Sequence, residues 1–115
     1  FRTGAPMSTS SYEDRRRHPR VECAMRIRVR EDDTVYDLTT RDVSLGGVFL
    51  FSKASVALNA AMTLQLEAGE RTLDAGGTVV HRLPGVGFGV RFDWMAEDGE
   101  RRLAEFLDAV GAEAA

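Results

Sequence analysis

From Val21 to Arg30 apolar and charged positions alternate. Met25, Ile27 and Val29 fall on one face, and Arg26, Arg28 and Arg30 on the other. A period of two over this length predicts a half-buried strand. Glu31-Asp32-Asp33-Thr34 reads as a polar turn, and Val35 to Ser44, rich in Val, Tyr and Thr, as a second strand. Gly46-Gly47 interrupts it, and Val48-Phe49-Leu50-Phe51 predicts a short apolar strand. After a loop over 52–60, Met62, Leu64 and Leu66 alternate with Thr63, Gln65 and Glu67. Arg71 to Leu83 forms a longer strand with a bulge or corner expected at Gly76-Gly77. Beyond the Pro84-Gly85 turn, Val86, Phe88, Val90 and Phe92 alternate with Gly87, Gly89, Arg91 and Asp93. Phe49, Phe51, Phe88 and Phe92 are all expected in the core.

The period then changes. Leu103, Phe106, Leu107 and Val110 carry the i, i+3, i+4, i+7 spacing of an amphipathic helix, with Glu97, Asp98 and Glu100 favouring its N-terminal end and Gly111 as its expected terminator. Six short strands and one helix predict a mainly β fold: a small six-stranded antiparallel barrel with the C-terminal helix packed on it. The expected organisation is a tail over 1–13, one domain over 14–111 and a short tail over 112–115. Met7 reads as a start residue, which makes 1–6 an appended remnant.

Composition narrows the function. With 43% hydrophobic and 29% charged residues the chain is an ordinary globular sequence, and it lacks an apolar run near 18 residues, so no membrane insertion is expected. A single cysteine, Cys23, precludes an internal disulfide and fits a cytoplasmic location. The net charge of −3 is unevenly spread: residues 1–30 hold eight arginines against three acids, and the remainder is strongly acidic. A general nucleic-acid binder would be basic throughout. A basic end on an acidic body suits a small anion instead.

Catalysis has little support. Ser44, Asp42, His18 and His81 could supply a nucleophile, an acid and a base, but Ser44 is not in a Gly-x-Ser-x-Gly elbow. Two distant histidines and one cysteine form no metal-ligand cluster, and no cofactor is implied.

Guanine nucleotide recognition makes better use of the residues. An arginine fork matches guanine O6 and N7, pairs with phosphate and stacks on a base. A carboxylate such as Asp42 accepts from the guanine N1–H and amine, the Ser44 hydroxyl adds a donor or acceptor, and Gly46-Gly47 permits close approach. Asp42 and Ser44 share a strand register with Leu38, a core position. Either they lie at the barrel rim, or a bulge turns the strand outward before Asp42.

Arg16-x-x-x-Arg20, followed by Asp42-x-Ser44-x-x-Gly47, resembles the paired motifs of the PilZ domain family. The strand Val86 to Phe92 is similar to that family's closing strand, and the likeness covers roughly Asp14 to Val110. The resemblance implies a bacterial receptor for cyclic di-GMP and not an enzyme. Carried over by position, Arg16 and Arg20 would contact guanine and phosphate, Asp42 and Ser44 would hold a guanine, and Gly46 and Gly47 would shape the turn. Arg15 stands where the family often carries an extra arginine, which implies a stacked pair of ligands. Arg17 and His18 are weaker candidates. The expected output is a conformational change of the arginine loop that signals to an unidentified effector protein in motility, biofilm or secretion control. The alternative is an adaptor of the same fold that binds protein and no nucleotide.

Overall fold

The structure, a computed structural model, describes residues 20–114. The strands are β1 (Val21–Glu22), β2 (Arg26–Glu31), β3 (Thr34–Val43), β4 (Gly47–Phe51), β5 (Ala61–Ala68), β6 (Arg71–Leu83) and β7 (Gly87–Met95). One helix, α1 (Gly99–Ala114), follows. All pairings are antiparallel in the order β1-β3-β2-β5-β6-β7-β4, and β4 pairs back with β3 to close the barrel.

The two-residue β1 is the first part of the predicted 21–30 strand. Asp42 pairs with Glu22 on one side and Phe49 on the other, while Thr39 pairs with Arg26 and Phe51. Both β1 and β2 therefore lie on the flank of β3 opposite β4. They are one barrel strand broken at Cys23–Met25, so the closed barrel counts six.

Thr40 holds this break in register. It is buried; its hydroxyl donates to the Cys23 carbonyl at 2.6 Å and accepts from the Met25 N–H at 2.8 Å. Burial pushes the neighbouring Cys23 thiol above its ordinary pKa, which disfavours the thiolate. Thr40→Val keeps the β-branched shape but leaves the buried Met25 amide unpaired. It is expected to cost about 1–3 kcal/mol in chemical denaturation; a loss under about 0.5 kcal/mol would mean that the hydroxyl is not the pin.

Inward positions follow the predicted alternation. Ile27, Val29, Leu64, Leu66, Leu73, Val79, Phe88, Val90 and Phe92 fill the barrel, and Leu103 and Leu107 of α1 close it near β1, β5 and β6. Arg26, Arg28 and Arg30 face out, as the pattern requires.

The helix continues through Gly111 to Ala114 rather than stopping at the glycine. A glycine inside a helix costs about 1 kcal/mol relative to alanine, and Ala109, Ala112 and Ala114, of the best helix-forming type, favour continuation. The Gly76-Gly77 irregularity is present, but the extra residue is Asp93 on the facing strand: Gly76 pairs with Trp94 and Gly77 with Phe92. A further bulge leaves Val80 unpaired between Val79 and His81. Phe51 is not in the core. It is 46% exposed, and Phe49, though buried, lies outside the core cluster.

Candidate guanine-binding site at the β3–β4 turn

A third bulge builds the site. Thr40 pairs with Leu50 and Asp42 with Phe49, so Arg41 is an extra residue in β3. Up to Thr40 the even-numbered residues of β3 face inward. After Arg41 the phase reverses, sending Val43 into the core and turning Asp42 to the outer face. Of the two routes open from the sequence, the bulge before Asp42 is the one taken.

Asp42 thus begins an outward row across the sheet, with partners Phe49 on β4, then Gly89 on β7, then His81 on β6. Asp42 is only 5% exposed although its side chain faces outward, because two arginines cover it. Arg20 Nη1 reaches Oδ1 at 2.5 Å, and Arg41 Nε reaches Oδ2 at 2.9 Å. Both guanidiniums remain substantially exposed. Both carboxylate oxygens are engaged by side chains that can swing away into water.

Arg41 has a second contact. Its guanidinium lies 4.0 Å from the centroid of the Phe49 ring, a cation–π geometry. Phe49 meets Phe51 edge-on at 6.3 Å and His81 at 6.4 Å. Beneath the Phe49 ring runs β7 with Gly87 and Gly89; a Cβ at Gly87 would strike the Leu50 carbonyl and the ring itself. The ring is therefore held flat against bare backbone, under Arg41.

The turn from Ser44 to Gly47 fixes the other edge. The Ser44 N–H donates to the Gly47 carbonyl at 2.9 Å, and the Ser44 hydroxyl accepts from the Gly46 N–H at 3.1 Å and lies 3.4 Å from the Gly47 carbonyl. The Gly46 carbonyl accepts from the Phe92 N–H, tying the turn to β7. Ser44 is buried and its hydroxyl is engaged by the turn. This is the setting of a structural serine and a positioned acceptor rather than of a nucleophile beside a base.

Of the residues singled out from the sequence, Arg20, Asp42, Ser44, Gly46 and Gly47 come together here. Arg15, Arg16, Arg17 and His18 lie outside the described residues. Arg41 and Phe49 escaped sequence reasoning, and so did the approach of His81 to the ring. Arg41 could have been suspected from its adjacency to Asp42 and the outward face of Phe49 from its alternation with Val48 and Leu50, whereas the pairing of Phe49 with Asp42 depends on a bulge that leaves no mark in the sequence.

A buried outward carboxylate, exposed cations over it and a flat aromatic beside it are the groups that a planar ring with paired N–H donors would need. No helix among the described residues is long and apolar enough to cross a membrane.

Comparison with known proteins agrees with the architecture. No curated protein matches the sequence. Among solved structures, the Bacillus subtilis inhibitor of motility MotI/DgrA superposes with a TM-score of 0.74 at 13% identity, over 86% of this chain and 52% of that one. The chain therefore spans about half the length of MotI/DgrA. The PilZ domain of CeSA from a cellulose-synthesizing bacterium superposes with a TM-score of 0.63 at 12% identity, over 81% of this chain and 98% of that one. The sequence itself matches the PilZ domain family over residues 14–109, from before the arginine run to within the helix, and the chain belongs to that family.

Proposed function

We propose that the protein is a receptor for cyclic di-GMP that acts as an adaptor, passing ligand occupancy to an effector protein. One observation carries the reading: Arg20, the end of the arginine motif, sits directly on Asp42, the start of the Asp-x-Ser motif. The two stretches that a guanine nucleotide would need are contiguous.

Recognition proceeds by exchange. The guanine N1–H and exocyclic amine take the two Asp42 oxygens, releasing Arg20 and Arg41. Freed guanidiniums are then available for phosphate and for the guanine O6 and N7 edge. Departure of Arg41 uncovers the Phe49 face for base stacking. Arg15 and Arg16 supply further cationic contacts, Arg15 in particular favouring a second, stacked ligand, and Arg17 and His18 complete the segment. Ser44, Gly46 and Gly47 keep the turn low enough for the ligand to lie across it. Closing of the 15–20 segment over the ligand presents a new surface to the effector. Among motility, biofilm and secretion control as the regulated process, the likeness to an inhibitor of motility supports the first.

Titration calorimetry with cyclic di-GMP, with GTP and linear pGpG as controls, tests the reading. Selective binding is expected, with two ligands per chain if Arg15 marks a stacked pair. No heat at high micromolar ligand from folded protein would overturn it in favour of the adaptor that binds no nucleotide. Amide hydrogen exchange across residues 15–20 is expected to slow markedly on saturation; equal protection with and without ligand would remove the closing step.

A further inference from the structure

Around the barrel from Asp42, a second outward row crosses five strands: Val35 on β3, Arg30 on β2, Thr63 on β5, Gly76 on β6 and Trp94 on β7. Val35 is 47% and Trp94 51% exposed. The indole leans back over Gly76, where a Cβ would run into its ring nitrogen, so the ring covers β6 and leaves the space above Thr63 open. A cavity of about 460 Å³ occupies that space, lined by Arg30, Thr63, Val35 and Trp94 among others. Among the described residues the Arg30 guanidinium and the indole N–H make no hydrogen bond or ion pair. Two exposed apolar groups therefore flank a cation that has no partner among the described residues.

We propose that this face docks a protein partner through a segment that places a carboxylate on Arg30 and an adjacent large apolar side chain against Trp94. The charge around the cavity selects this occupant. Arg28 is already paired with Asp37, and Asp74 also lines the cavity. Asp32 and Asp93 stand beside Arg30 and Trp94 on the adjoining side. Asp74 and these acids repel a phosphate chain, which cannot set one charge on Arg30 without bringing others near them, whereas a single acid between apolar residues can. Arginine and tryptophan are the side chains that most often dominate protein interfaces, and an arginine fork binds a carboxylate through two parallel hydrogen bonds. The row ends on strand segments that β4 does not reach, β3 before Thr39 and β7 after Arg91, and the proposed contact is made by the side chains between them rather than by strand addition. The inference does not depend on nucleotide binding: it uses no residue of the Asp42 site.

Trp94 is the chain's only tryptophan, so its emission reports on this cavity alone. The test titrates the full chain with an acetylated, amidated pentapeptide of alternating leucine and glutamate, followed by that emission and by backbone amide NMR shifts. Controls are the same peptide with lysine for glutamate and a ten-residue oligo-dT. Saturable emission change is expected, with amide shifts centred on Arg30, Thr63, Gly76 and Trp94. Arg30→Glu, an exposed position that leaves the core untouched, is expected to weaken the response at least about tenfold by reversing the charge. An equal response from Arg30→Glu, no saturable change with the glutamate peptide up to millimolar concentration, or tighter binding of oligo-dT would each overturn the proposal.

Discussion

Asp42→Ala is expected to weaken cyclic di-GMP binding by about 100-fold or more while leaving the barrel folded. Two hydrogen bonds from guanine to a carboxylate are each worth roughly 1.5–3 kcal/mol. In the free protein, however, Arg20 and Arg41 already occupy both oxygens, at 2.5 and 2.9 Å, so binding exchanges partners rather than creating them. The net loss is therefore smaller than the sum and should lie near 3 kcal/mol, or about two orders of magnitude in affinity. Stability should move little. Asp42 is the buried member of both pairs, and the two arginines left behind are substantially exposed and return to water, so its removal strands no buried charge. Calorimetry and thermal melting on the same samples separate the effects. A variant that melts like the parent and still binds would eliminate Asp42 as the guanine acceptor. Asp42→Asn should fail as well, because its amide presents a donor where guanine also presents one.

How much of this could be read from the sequence follows from what alternation encodes. A period of two specifies which face of a strand is inward, so Ile27, Val29, Leu64, Leu66, Phe88 and Val90 were legible as core, and the outward arginines of β2 with them. A bulge adds one residue with no compositional signature and reverses that assignment for everything after it. Arg41 is such a residue, so the pairing of Asp42 with Phe49 could not be read from alternation; Phe49 is buried as expected, and Phe51 is the aromatic that falls outside the expected core. The break at Cys23–Met25 was equally silent, since the Thr40 hydroxyl that stabilises it lies fifteen residues or more away in the chain.

The candidate site was legible in a different way. Arg20, Asp42, Ser44 and the glycine pair were recognisable as chemistry before any geometry was known, but only the structure brings Arg20 onto Asp42. The same geometry adds what the motifs omit: a latch in which Arg41 holds the carboxylate and covers Phe49 at once. Because Arg41 is the bulged residue, the irregularity that turns Asp42 outward also supplies its second cation.

A large stability effect is expected at Gly47. This residue opens β4 opposite Arg91, where the two backbones approach so closely that a Cβ would collide with the Val90 carbonyl oxygen and press on the Arg91 Cα. Neither neighbour is the flexible end of a side chain. Val90 is buried in the core, and the turn is bound to β7 next to it through the Gly46 carbonyl and the Phe92 N–H. Gly47→Ala must therefore shift one barrel strand against another, an overpacking cost of about 3 kcal/mol. For a domain of this size, that corresponds to a fall in Tm of roughly 12–24 °C. Because the displaced strands carry the Ser44–Gly47 turn and Phe49, ligand affinity should fall with it even where the variant remains folded. Thermal unfolding followed by circular dichroism checks the first effect and calorimetry below the melting range the second. A melting temperature within about 3 °C of the parent would show that β4 can move away from β7 at little cost, and the close approach would then not be what requires glycine at this position.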